Sequence, residues 1–299
     1  MRNQELKRLL TLSRWDQLAP SAQEEAASAL AASLPERFRF AGLETHALGQ
    51  LRHRVACFTW NEARFALLPG GLATLGYAPG SFHPSEAHQR SWEESCREYP
   101  EIALKYPTLE SYLEQQLTSF RQVTIQPFLL EVVAQKVSLR REIDRRRYPA
   151  LTYPLSAVQL QEYVAPDGFR LPTSDEWEYA CAAGARTLWR WGDETPMILM
   201  DMRSNPAPAW DLHLRPNAFG LLIGTHPANW ECTAEWQVMR GGDGGTALNV
   251  LPGRFLEWLT LASAFRRQVG PRAKVSLVYL RRAYSLVGEA EQEADVPLL

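Results

Sequence analysis

His226, Glu231 and Asp243 fall within one 18-residue window, and all three are side-chain types that bind metals or move protons. Asp243 stands inside Gly241-Gly242-Asp243-Gly244-Gly245. Four glycines around one carboxylate allow a backbone to approach a ligand closely, although a turn with a solvated carboxylate has the same composition. Trp236 and Arg240 flank the run and are expected to line the same cleft. No Lys-Ser/Thr follows the glycines, so the run is not a phosphate-binding loop, and the chain has no Gly-x-Ser-x-Gly nucleophile elbow. The six histidines are His46, His53, His83, His88, His213 and His226. His83 and His88 are separated by Pro84 and do not make a ready-made ligand pair. A dispersed metal site stays open, with solvated or structural histidines as the default. Cys57, Cys96, Cys181 and Cys232 form no Cys-x-x-Cys pair and read as reduced, mostly buried thiols, not as a zinc or redox site set by spacing.

These residues must be held by a chain of 299 residues, 45% hydrophobic and 22% charged, which is enough apolar content for a sizeable core. Its net charge of −2 argues against nucleic acid as a partner, and no apolar run is long enough to span a membrane. A charged N-terminus without a signal-like apolar run gives the expectation of a cytoplasmic protein, bacterial in style. Residues 1–33 read as helical up to Pro35. Arg54–Trp60 and Ala63–Leu68, separated by Asn61-Glu62, read as a hairpin, and Ala73–Gly76 is expected to continue that sheet. Residues 81–120 read as a helical insertion broken by Pro100 and Pro107, and Arg121–Val133 as one strand. Arg140–Arg147 is a dense basic cluster, read as a solvated loop or a contact for phosphate or an acidic partner. The expected division is a helical extension and lead-in strand over 1–60, a main domain over 61–286 and an acidic tail over 287–299.

The densest motif is Gly168-Phe169-Arg170-Leu171-Pro172-Thr173-Ser174-Asp175-Glu176-Trp177-Glu178-Tyr179-Ala180. Thr173 with Glu176 three residues on is a capping box, Trp177 and Cys181 share a helix face, and Gly184 supplies a stop. Trp191-Gly192-Asp193, Pro216-Asn217-Ala218-Phe219-Gly220-Leu221, Trp230-Glu231 and Arg240-Gly241-Gly242 follow in order. Together these blocks resemble the formylglycine-generating enzyme, or sulfatase-modifying factor, family. The resemblance covers about residues 65 to 284, outside 81–120. It implies an α+β fold of irregular C-type-lectin-like form, with turns and aromatic anchors in place of long ladders.

The same resemblance implies where the family's chemistry belongs. Family enzymes bind copper through two cysteines after the Arg-Gly-Gly turn, and a gapless match puts Thr246 and Leu251 there. Neither side chain offers the soft thiolate that Cu(I) needs, so copper through a cysteine pair is not expected. The family's calcium loop corresponds to Gly224–Cys232, which leaves Glu231 and Asn229 as the residues it implies for Ca2+. Two readings follow. One is a pseudoenzyme that binds a protein, peptide or small-molecule ligand in the cleft of Trp236, Arg240 and Asp243. The other is a metal-dependent oxidative tailoring enzyme with a rebuilt site, for which His226 and Asp243 are the catalytic candidates and Glu231 a further ligand. Related oxidative members hold iron through histidines on a separate helical bundle, for which 33 N-terminal residues are too short.

Overall fold

Three sheets and three apolar clusters organise the computed structural model, which describes residues 6, 8–137, 157–197, 210–235, 237–246, 253–269 and 278–286. The Arg140–Arg147 cluster, Trp236, Leu251 and the 287–299 tail lie outside these residues. In chain order the strands are β1 (Phe38–Leu48), β2 (Leu51–Trp60), β3 (Ala63–Leu68), β4 (Gly71–Leu75), β5 (Arg121–Ile125) and β6 (Phe128–Glu131). They continue with β7 (Gln135–Val137), β8 (Glu231–Cys232), β9 (Val238–Arg240), β10 (Arg267–Gln268), β11 (Val278–Leu280) and β12 (Ala283–Ser285). The main sheet runs β1-β2-β3-β6-β12, the second β10-β9-β8-β11-β7, and β4-β5 form a separate ribbon. With helices packed around these sheets, the fold is α+β.

The main sheet is covered on both faces. Phe38, Ala56, Phe58, Phe65, Leu67 and Leu129 pack with Trp15, Ala26, Ala27 and Leu30 of helices α1 (Leu12–Trp15) and α2 (Pro20–Ser33). Trp15 Nε1 donates to Arg54 O at 2.7 Å and Arg54 to Gln23 Oε1 at 2.7 Å, so the N-terminal helices are tied to β2. On the opposite face Val55, Cys57, Ala66, Leu68 and Leu130 meet Trp177, Ala180, Cys181, Phe219 and Leu221. Burial on both faces explains why β2 and β3 read as near-continuous apolar runs.

The structure differs from the sequence expectation in three strands. β1 was not anticipated at all. Ala73–Gly76 does not extend the main sheet, because β4 pairs with β5 instead. Arg121–Val133 is two strands, since Gln126-Pro127 breaks it and Pro127 has no N–H for a ladder; β5 goes to the ribbon and β6 to the main sheet. Helices α3 (Glu86–Glu98), α4 (Pro100–Lys105) and α5 (Leu109–Gln116) pack with Trp189, Trp191 and Trp258 as a third cluster. After α6 (Ala157–Val164) comes α7 (Ser174–Ala182), capped as its sequence dictates: Thr173 Oγ1 accepts from Glu176 N at 3.1 Å and Glu176 Oε2 from Thr173 N at 2.8 Å. Among the described residues the last helix is α8 (Arg254–Leu259).

Candidate functional site

The signature helix spends its polar side chains on the fold. Arg170 grips Glu176 with two 2.6 Å hydrogen bonds, the fork-on-carboxylate arrangement that guanidinium geometry favours. Trp177 Nε1 donates to Glu231 Oε2 at 2.9 Å, and Tyr179 Oη donates to Pro69 O. Glu178 accepts from Gly76 N, Thr118 Oγ1, Arg121 and Arg240. Asn217 donates to Ala180 O and Cys181 O while its Oδ1 accepts from Phe219 N and Leu221 N, which pins the 216–222 turn to the end of α7.

The candidates between 226 and 243 are placed by the same framework. Glu231 is buried, and both its oxygens lie 2.8 Å from Arg281 nitrogens. It therefore faces an arginine inside the protein, not a calcium loop. Asn229 contributes its backbone N–H to His226 O. Arg240 is fully buried, bonded to Ser174 Oγ, Phe265 O and Glu178, so it holds the interior and lines no cleft. Asp243 is buried near Tyr112, whose hydroxyl is pushed up by burial, then by Tyr106 and the Asp243 charge. His226 Nδ1 accepts from Ala228 N at 3.0 Å, and burial lowers its pKa. The glycines serve the protein's own packing: a Cβ on Gly242, at φ +151°, would lie 1.9 Å from Asn229 O, and one on Gly241 would lie 2.9 Å from the Trp177 ring. His226, Glu231 and Asp243 do not gather their ligand atoms into one group. Thr246, where the resemblance puts the first thiol, donates to Asp243 O.

Among the described residues, the group that does gather lies elsewhere. Glu44, His46 and Cys57 each present a ligand atom within 4.8 Å of the others. A bulge creates the arrangement. Phe40 pairs with Phe58 but Gly42 pairs with Cys57, so one residue of β1 is left over. That extra residue reverses the alternation and turns Glu44 and His46 to the face that carries Cys57. Gly220, at φ +75°, leaves room for the imidazole: a Cβ there would come 2.7 Å from His46 Nε2. His46 Nε2 is 3.2 Å from Glu44 Oε2, and Arg64 Nη2 is 2.6 Å from Glu44 Oε1. Burial alone would raise the Glu44 carboxyl, but Arg64 and then His46 hold it below the usual carboxylate range. Burial, followed by the Glu44 charge, pushes the Cys57 thiol up to about 11.

These residues form one wall of a cleft of about 730 Å³. Trp60, Val133, Phe219 and Leu222 give it apolar surface, while Glu131 and Arg282 close one side as an ion pair with a 2.8 Å contact. Sequence reasoning missed this site because it depends on a long-range pairing and on the bulge. The alternation Glu44-x-His46 was the available signal, once that stretch was known to be a strand.

Residues 134–254 match the Sulfatase-modifying factor enzyme 1-like domain, FGE-sulfatase. Over that segment the chain is similar to the FGE-sulfatase family. Its structure is similar to that of PvdO from Pseudomonas aeruginosa, with a TM-score of 0.42 and 14% identity over 75% of this chain and 94% of that one. It is also similar to Treponema denticola variable protein 1, with a TM-score of 0.41 and 13% identity over 81% and 99% of the two chains. No curated protein is similar in sequence. The FGE-sulfatase segment supplies the Phe219–Leu222 wall of the cleft, whereas Glu44, His46, Cys57 and Arg64 precede it. Among the described residues no helix is long and apolar enough to cross a membrane.

The histidines of the chain make its stability depend on pH. Burial, then the Arg190 charge and the neighbouring His226, lower His213 to about 4 from the ordinary 6.5. A depressed histidine favours the folded state while it is neutral, so its contribution is complete above about pH 6.5 and is lost as pH falls toward 4. Going from about pH 7 to about pH 5 should cost ~2 kcal/mol through this residue. His88 and His226 are lowered as well and act in the same direction, while His53, raised by Asp16 against its burial, acts in the opposite one. His213→Phe keeps a ring against Trp258, 5.2 Å away, and should flatten the acid limb of a urea-denaturation pH series. An unchanged pH slope in that variant would remove His213 from the account.

Proposed function

We propose that this FGE-type protein is a non-catalytic binding module that takes a small organic ligand, or the side chains of a peptide, in the cleft between β1–β3 and the 216–222 turn. The cleft carries the reading. Its volume of about 730 Å³ falls in the range of ligand sites, and it combines apolar walls with a few convergent charged groups. Two further points support it. The resemblance puts Thr246 where a thiol of the copper pair belongs, and the polar groups of the signature helix are committed to internal partners.

Val133 is half exposed and lines the cleft, so Val133→Trp should fill the space without disturbing the core. In a thermal-shift or NMR screen of small polar and aromatic compounds, hits on the wild type should lose more than about tenfold in affinity in this variant. Its melting temperature should stay within a few degrees. Hits that bind Val133→Trp equally well would move the site elsewhere, and turnover of any of them would end the non-catalytic reading.

A further inference from the structure

We propose that Glu44, His46 and Cys57 bind a single divalent ion of the zinc class, with one coordination position open to the cleft. Carboxylate oxygen, imidazole nitrogen and thiolate sulfur are the three donor types that zinc accepts, and three protein ligands plus an open position is the pattern of its non-structural sites. The spacing suits a tetrahedron: ligands about 2.0–2.2 Å from the metal stand about 3.3–3.6 Å apart, and His46 Nε2 is 3.2 Å from Glu44 Oε2. All three ligand atoms lie within 4.8 Å, so small rotamer adjustments close the set.

The backbone predisposes the site. Glu44 and His46 leave one strand on one face, Cys57 projects from the neighbouring strand diagonally to Glu44, and the Gly220 turn keeps the space beside the imidazole clear. Arg64 has two opposed effects. Its 2.6 Å hydrogen bond orients Glu44 through Oε1 and leaves Oε2 toward His46, as an outer partner of a metal ligand does. Its positive charge also weakens attraction for a cation. Binding replaces the Cys57 thiol proton, which passes to solvent as the Zn–S bond forms, with no change of oxidation state. The open position faces the cleft, where water or a ligand donor atom would complete the tetrahedron. The proposal stands whether or not the cleft takes an organic ligand.

The test is a titration of the full-length, reduced, chelator-treated protein with Co2+, followed by displacement with Zn2+. The wild type should take up one equivalent, with an intense tetrahedral cobalt spectrum and a thiolate-to-cobalt charge-transfer band. Cys57→Ser should lose that band. His46→Gln, at a half-buried position, should retain the wild-type melting temperature and lose more than about 100-fold in Zn2+ affinity, since even outer partners of a ligand change affinity 10–100-fold. A wild type with no thiolate band overturns the proposal, as does a band that persists in Cys57→Ser or a Zn2+ affinity unchanged in His46→Gln. The Val133→Trp plug leaves the three ligands in place, so loss of organic binding with retained metal would separate the two sites.

Discussion

Arg281→Met should destabilise the protein by about 3–5 kcal/mol, the range for removing one partner of a buried ion pair. The guanidinium is fully buried and all five of its N–H groups are used. Two reach the Glu231 carboxylate, and the others reach the carbonyls of Glu131, Val132 and Leu222. Its loss leaves a buried carboxylate with Trp177 Nε1 as its remaining hydrogen-bond donor, together with carbonyls whose desolvation is no longer offset. Arg281→Lys should recover less than half, because a point ammonium cannot reproduce the planar fork. Urea denaturation of the three proteins measures this order. The same geometry gives a second readout: both Glu231 oxygens are occupied, so Glu231→Gln should leave any effect of millimolar Ca2+ on the melting temperature unchanged. A calcium-dependent rise that disappears in Glu231→Gln would restore Glu231 as a ligand.

How much of this could be read from the chain depends on how local each signal is. The helix at 174–182 was legible because its cap, first turn and stop are contiguous, and the 54–68 hairpin because two apolar runs flank a short polar pair. β1 was not, since the bulge after Phe40 interrupts its period of two and Gly42 looks like a break. The site was harder still. The glycines of 241–245 suggested a ligand loop, but the structure uses them to admit Trp177 and the Asn229 carbonyl. A sequence shows that a backbone must come close to something without showing whether that is a ligand or a tryptophan. Arg240 was read as a cleft residue for a related reason. A lone arginine gives no local sign of the carboxylate that will bury it, and here that carboxylate is Glu178, in a different motif.

Glu178 supports the last and most discriminating expectation. Its carboxylate accepts from Arg240, which is fully buried, and from Arg121, whose side chain is 27% exposed and also reaches Asp175. Glu178→Gln removes the charge that both guanidiniums face and should cost about 3–5 kcal/mol. The two arginines should not respond alike. Arg121→Met should cost about 1 kcal/mol or less, since solvent reaches that pair and screens it. Arg240→Met should cost nearly as much as Glu178→Gln, because it also strips donors from Ser174 Oγ and Phe265 O. The double variant Glu178→Gln/Arg240→Met should then be less destabilised than the sum of the singles by about 1–3 kcal/mol, the coupling expected for groups in one buried network. Additive costs in that cycle would mean that the two side chains act separately. The Arg-Gly-Gly block and the signature helix would then be linked by packing, not by the ion pair.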